Sequence, residues 1–286
     1  MSKIYDCFPF FNELEVLEIR LETMYDYVDY FIISECDYTF SGLKKGFIFE
    51  ENKERFSKYL DKIIHIKNEN TDEFVNLVNN YDGKRKDIYQ NIINRLDRMR
   101  VSAETDFGKG HWCRDYLHKE LVMLGMDVCE DDDIIIFGDL DEIPNPEKLK
   151  FDGGKYLVNQ KNMMYYINTE NISERWCGTY ICKFSDIMDN SCMFTREKRF
   201  MFEIVENAGW HLSFMGGSDR IIQKIQSYGH QEYNNSSVLS QVSQKMAMNS
   251  DILNRGIQIL NINLSEYYPA KILDLVSEKF NYLINE

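Results

Sequence analysis

No two of the seven cysteines (Cys7, Cys36, Cys113, Cys129, Cys177, Cys182, Cys192) form a C-x-x-C pair, and no Cys/His array has zinc-ligand spacing. Their odd number predicts reduced, structural thiols in place of a disulfide framework. Proline is scarce, at four, and fifteen glycines are too few and too scattered for a flexible or collagen-like tract. No run approaches the ~18 apolar residues of a membrane span. Asp6 interrupts the N-terminus before any stretch long enough for a signal peptide. Basic charge is also short: 33 Lys and Arg face 47 Asp and Glu, a net charge of −14 that argues against a nucleic-acid surface. A soluble, cytoplasmic protein without a membrane span is therefore expected, with its oligomeric state left open.

What is present is a folding composition. With 44% hydrophobic and 14% aromatic residues, the 286-residue chain can bury one large α/β core. Asn12 to Tyr27 places Leu14, Leu17, Leu21 and Met24 at helical spacing, interleaved with Glu13, Glu15, Glu18 and Glu22. The apolar run from Tyr30 to Ser34 then reads as a buried strand, Lys62 to Ile66 as another, and Ile88 to Arg100 as a helix. A helical pattern from Cys113 to Leu124 stops at Gly125, and an acidic turn separates it from the strand Ile134 to Phe137. Strand-like stretches follow at Tyr156 to Gln160, Met163 to Asn168 and Thr179 to Phe184, with helices over Asp219 to Ser227 and Lys271 to Leu283. Without a linker or repeat, a single domain is expected over residues 1–286.

The chemistry concentrates where the 134–137 strand ends, in Gly138-Asp139-Leu140-Asp141-Glu142. In extended geometry Asp139 and Asp141 leave one face of the chain, where two carboxylates can share Mg²⁺ or Mn²⁺. Such an ion takes its remaining ligands from a diphosphate and water and offsets charge on a departing nucleotide. Pro144 and Pro146 keep this segment from continuing as an inner strand, so the acids lie at a strand's carboxyl end, where open α/β sheets bind ligands. His211, among Gly209, Gly216 and Gly217, is the expected third metal ligand.

In ordered combination, several motifs resemble glycosyltransferase family 17, the family of the bisecting N-acetylglucosaminyltransferase of N-glycans. They are Tyr5-Asp6-Cys7-Phe8 through Phe11-Asn12-Glu13, Leu17-Glu18-Ile19-Arg20-Leu21, Ser34-Glu35 with Thr39-Phe40-Ser41-Gly42, and Arg114-Asp115-Tyr116-Leu117. Asp139-Leu140-Asp141-Glu142-Ile143-Pro144, Gly209-Trp210-His211 and Tyr268-Pro269-Ala270-Lys271 complete the set. The resemblance implies a GT-A fold, a Rossmann-like α/β nucleotide-sugar-binding sheet flanked by helices with a D-x-D metal site. Residues 1–150 would mainly bind the nucleotide sugar, and 151–286 would mainly complete the pocket on the acceptor side. It also implies an inverting transfer of N-acetylglucosamine from UDP-N-acetylglucosamine, with Mn²⁺ or Mg²⁺ as cofactor. The sequence shows neither the membrane anchor nor the luminal stem of the animal enzymes, so a glycan or polysaccharide-precursor acceptor in the cytoplasm is expected.

An inverting transfer needs a base on the acceptor hydroxyl, apart from the groups at the leaving diphosphate. Asp219, just beyond Gly216-Gly217, is the first choice for that catalytic residue, with Glu142 and Glu232 as rivals. Glu35, Arg114, Asp115, Asp139 and Lys224 are the expected donor-binding residues, Lys224 through the phosphates and Glu35 through the uracil or ribose. Trp210 is the expected aromatic lining, with Trp176, Tyr165 and Tyr166 as further candidates for stacking on sugars. Two other readings stay open. One is a haloacid-dehalogenase-like phosphatase with Asp139 as nucleophile and Asp141 as acid or base. The other is a non-catalytic nucleotide-sugar- or glycan-binding protein.

Overall fold

Ile4–Phe10 forms β1, an inner strand of a seven-stranded sheet in a computed structural model that describes residues 2–69, 90–95, 97–98 and 110–285. Its neighbours are β2 (Tyr30–Cys36) and β4 (Ile134–Phe137), both parallel to it, with β3 (Ile63–Asn68) parallel beyond β2. The chain builds β2 and β3 on one side of β1, then returns to lay β4 on the other. That reversal opens a crevice at the carboxyl ends of β1 and β4, the topological switch point where open sheets receive ligands. Beyond β4 lie β9 (Tyr180–Lys183), β6 (Tyr156–Val158) and the edge strand β10 (Glu203–Val205). β9 runs antiparallel to both β4 and β6.

A five-stranded sheet stands beyond the end of β4, in the order β12 (Ile259–Asn261), β8 (Thr169–Asn171), β7 (Lys161–Met164), β11 (Gly209–Ser213) and β5 (Glu142–Pro144). After β4 the chain turns through residues 138–141 and joins this second sheet as the edge strand β5, which is where a strand can carry Pro144. The fold is thus mixed α/β with two mixed sheets.

Side chains alternate across the large sheet with the period of two that a strand imposes. Phe8, Phe10, Phe31, Ile33, Ile134 and Ile136 pack in one cluster with the helix Leu14–Met24. Tyr5, Cys7, Ile32, Ile135 and Phe137 pack in another with Leu117, Leu121 and Met126. None of the seven cysteines forms a disulfide, and no helix among the described residues is long and apolar enough to cross a membrane.

The expected strands and helices recur with shifted ends, and Met163 to Asn168 is strand only as far as Met164 because Tyr165 turns the backbone at φ 70°. Of the helix expected over Ile88 to Arg100, residues 90–95 and 97–98 are helical and the remainder lies outside the described residues. β1 carries no clear strand signal, since Asp6 and Pro9 interrupt it. The structure supplies the reason: Asp6 is fully buried against the equally buried Arg20, whose Nε and Nη2 donate to its two carboxylate oxygens at 2.9 and 2.6 Å. The acids of the Leu14–Met24 helix are likewise not a solvent face. Glu15, Glu18 and Glu22 are buried under Arg220, Arg55, Lys279, Lys58 and Lys271, which clamp this helix between distant parts of the chain.

Candidate active site

A cavity of about 500 Å³ occupies the switch point. Pro9, Phe10, Phe11 and Glu13 enter from the end of β1, and Asp139, Leu140 and Asp141 from the end of β4. Asn162, Met164, His211 and Ser213 enter from the second sheet, so both halves of the sequence build one cavity.

The acidic loop is a tight turn, with the Glu142 amide donating to the Asp139 carbonyl at 3.0 Å and the Asp139 amide donating to Glu142 Oε2 at 2.9 Å. Arg20 reaches the same loop from below, where its Nη1 donates to the carbonyls of Asp139, Leu140 and Glu142 at 2.6, 3.1 and 3.2 Å. The loop is therefore a turn and not extended, and Asp139 and Asp141 both line the cavity but take different partners.

Asp139 turns to cations. Its Oδ2 accepts from Arg196 Nη2 at 2.9 Å and its Oδ1 lies 3.3 Å from Lys119 Nζ. Burial alone would raise its pKa, but Arg196 and Lys119 more than offset that and hold the carboxyl well below the usual range. Arg196 is placed by the helix Cys192–Lys198, whose first turn is capped by Ser191 and by the buried Glu120, which accepts from the amides of Cys192 and Met193 at 3.2 and 3.0 Å. Arg196 Nη1 is buried and, among the described residues, has no hydrogen-bond partner, although the residue lines the cavity.

Asp141 faces the second sheet. Its Oδ2 accepts from Lys224 Nζ at 2.8 Å, and its Oδ1 lies 3.6 Å from His211 Nε2. Burial raises its pKa, and Lys224 with His211 brings it below the ordinary value. His211 is aligned with Asn162 across β7, and Nδ1 donates to Asn162 Oδ1 at 3.1 Å. Trp176 lies flat against the imidazole, with ring centres 3.9 Å apart and planes 12° apart. Burial lowers the His211 pKa despite Asp141 nearby, which keeps the ring neutral at pH 7. With its proton on Nδ1, the ring turns the Nε2 lone pair toward a carboxylate oxygen. Two electron-rich atoms held face to face suit a shared cation.

Among the described residues, no group of three or more His, Cys, Asp or Glu side chains converges as metal ligands. Asp141 and His211 face each other, while Asp139, on the same cavity wall, is paired with Arg196 and Lys119. Formal charge points the same way as the lone pair. Among the described residues, Glu13, Asp115, Asp139, Asp141 and Glu174 line the cavity, as do Lys119, Arg196, Arg199, Lys224 and Arg255, so five negative charges meet five positive ones. A nucleoside diphosphate entering with a divalent cation adds little net charge to that balance, whereas a diphosphate alone would leave it negative.

Glu142 is a staple beneath the cavity. Fully buried, it accepts at Oε1 from Trp176 Nε1 at 2.9 Å and Arg196 Nη2 at 2.6 Å, and at Oε2 from Thr179 Oγ1 at 3.3 Å in addition to the Asp139 amide. Gly178 leaves room for this carboxylate, since a Cβ there would overlap both oxygens. Gly178→Ala is accordingly expected to cost ~2 kcal/mol or more, because the core there cannot yield without unseating Trp176 and Arg196. A thermal midpoint equal to that of the parent protein would refute this. At Gly209, φ is 154° and a Cβ would overlap the Ile143 carbonyl, so β11 can approach β5 only with glycine there.

Of the expected site residues, Asp115, Asp139, Asp141, His211 and Lys224 line the cavity. Asp115 lies 3.1 Å from Lys119 one turn along the helix Gly110–Glu120, and Lys224 bridges Asp141 and Glu13, the latter at 3.4 Å. Glu35 does not line it. Its carboxylate is buried and taken up by Lys45 Nζ, the Phe49 amide and His65 Nε2 at 3.2, 3.0 and 3.0 Å. Arg114 stands behind the wall, donating from Nε to the Phe40 carbonyl at 2.6 Å. Asp219 is exposed in the first turn of the helix Ser218–Ser227, where a carboxylate complements the helix dipole, and does not line the cavity. Glu232 is exposed and does not line the cavity, though it lies 2.8 Å from Nδ1 of His230, which does. Trp210 is core, stacked on Tyr268 with its indole N–H on the Tyr267 carbonyl, and Trp176 is the tryptophan beside the carboxylates. Tyr165 is buried as well, with its hydroxyl on the Ser250 carbonyl at 2.8 Å. Sequence reasoning missed Lys119 and Arg196. Lys119 could have been found from its i,i+4 spacing to Asp115, while Arg196 carries no local signal.

A switch-point cavity walled by paired acids and bases in an α/β chain fits an α/β glycosyltransferase. Residues 1–81 match the family model described as Glycosyltransferase family 17, which supports both that class and the family its motifs resemble. The matched stretch supplies β1 to β3 and the wall formed by Pro9 to Glu13, Thr39 and Phe40. No curated protein matches the chain.

Proposed function

We propose that this chain is an inverting, metal-dependent glycosyltransferase of the GT-A type, moving N-acetylglucosamine from UDP-N-acetylglucosamine onto a glycan or polysaccharide-precursor acceptor. The observation that carries this reading is the opposition of His211 Nε2 and Asp141 Oδ1 at the carboxyl end of β4. Asp141 and His211 would hold Mn²⁺ or Mg²⁺, with Asp139 beside them. The ion's contribution is to offset the charge that develops on the departing diphosphate. Arg196, through an Nη1 without a hydrogen-bond partner among the described residues, and Lys119 would give the diphosphate further positive charge from a low-dielectric wall. Trp176 excludes water from one face of His211 and keeps the ring in register with Asp141. The family match and the sugar-sized cavity support the donor and acceptor classes, and the donor sugar follows the family.

The test is UDP release from a panel of nucleotide sugars with Mn²⁺, with Mg²⁺ and with chelator, in the presence of candidate acceptor saccharides. The expected result is release from UDP-N-acetylglucosamine with metal and its loss with chelator. Turnover that persists in chelator would instead assign the diphosphate charge to Lys119, Arg196 and Lys224. Release of inorganic phosphate from simple phosphoesters would replace transfer by a phosphatase reaction at Asp139, and tight donor binding without turnover would indicate a binding protein.

A further inference from the structure

Among the described residues, four of the five cavity carboxylates already have a basic nitrogen close by: Asp139 at 2.9 Å, Asp141 at 2.8 Å, Asp115 at 3.1 Å and Glu13 at 3.4 Å. Glu174 differs. Among the described residues its nearest cation is Arg255, 3.9 Å from the same Oε2 that the Asn171 side-chain amide orients at 3.1 Å, and its side chain is 41% exposed. Among the described residues, none donates a hydrogen bond to Oε1. Glu174 also stands two residues before Trp176 in a non-helical segment between β8 and β9, and both line the cavity. Because Trp176 lies flat on His211, this segment is tied to the wall that holds Asp141.

Resting on the transfer reading above, we propose that Glu174 is the general base that deprotonates the acceptor hydroxyl. One carboxylate oxygen is anchored and the other is available, which is what a base needs in order to meet an incoming hydroxyl at a fixed angle. In the transfer, the acceptor oxygen forms its bond to the anomeric carbon as the bond from that carbon to the diphosphate oxygen breaks. The electron pair leaves with the nucleoside diphosphate, and the hydroxyl proton passes to Glu174 Oε1. Asp219 does not line the cavity, and Glu142 has both oxygens engaged, so neither has this combination.

The experiment compares wild type, Glu174→Gln and Glu174→Ala for UDP binding by calorimetry and for metal-dependent UDP release to water and to acceptor saccharides. Release is expected to fall ~10²- to 10⁴-fold in both variants while UDP affinity changes less than about threefold. Azide is a nucleophile with no proton to lose, so it should restore UDP release in Glu174→Ala at least ~10-fold and give a glycosyl azide of inverted configuration. Near-normal release in Glu174→Gln, loss of UDP binding together with release, or failure of azide to restore the alanine variant would each overturn the assignment. Wild-type turnover that survives Glu174→Gln would leave the transferase reading intact and remove only the base. A wild-type chain that binds no UDP would sink both.

Discussion

Asp141→Asn is expected to fold normally and to lose ~10²- to 10⁴-fold of its metal-dependent UDP release, the largest effect of any single substitution at the cavity floor. Asparagine keeps the shape of the side chain but not its charge. The turn that carries it is held elsewhere, by the Glu142 amide on the Asp139 carbonyl, by the Leu212 amide on the Asp141 carbonyl at 2.7 Å and by Arg20 from below. What disappears is the negative partner of His211 Nε2 and of Lys224 Nζ. A cation between the carboxylate and the imidazole would lose its only charged ligand of the pair, and Lys224 would retain only Glu13. Activity within about threefold of wild type, at equal folded fraction by circular dichroism, would refute the assignment.

The second large effect falls on stability. Arg20→Ala should lower the unfolding free energy by ~3–5 kcal/mol, because it strands the Asp6 carboxylate inside the sheet without a counter-ion. It also strips three carbonyls of the acidic loop of their donor. Arg20→Lys keeps the charge but cannot reproduce the fork that holds Asp6 while spanning those carbonyls, so it should fold better than the alanine variant and remain poorly active. A double replacement, Asp6→Leu with Arg20→Met, should recover much of the stability without recovering turnover, since it removes the buried pair and leaves the loop unclamped. Urea titration read beside UDP release separates these outcomes. An unchanged midpoint in Arg20→Ala would show that the buried pair contributes nothing, and full activity in the double variant would show that the loop needs no clamp.

Much of the fold was legible because periodicity is a local property. Tyr30 to Ser34 and Ile134 to Phe137 announce themselves as buried strands by short runs of aromatic and β-branched residues, and Leu14 to Met24 by helical spacing. β1 was not legible, since an aspartate and a proline inside a seven-residue segment argue against an inner strand until Arg20, fourteen positions later, neutralises the first. The same remoteness hid Arg196, which meets Asp139 across 57 positions, and Lys119, which meets it across a helix and a strand.

Sequence alone determined the place of the acidic loop: acids at the end of an apolar strand, with prolines close behind, had to lie at a sheet's carboxyl edge. Sequence also picked out His211 and Lys224, which the structure brings to Asp141. Only the tertiary structure decided which way the two aspartates face, because that depends on the Arg20 clamp and the Glu142 staple, contacts made across long loops. It likewise put Trp176 and Glu174 on the cavity wall and Trp210 in the core, with Asp219 off that wall. A side chain's residue type fixes the chemistry it can perform. Whether it faces a cavity or a helix terminus is settled by packing between segments that no local pattern connects.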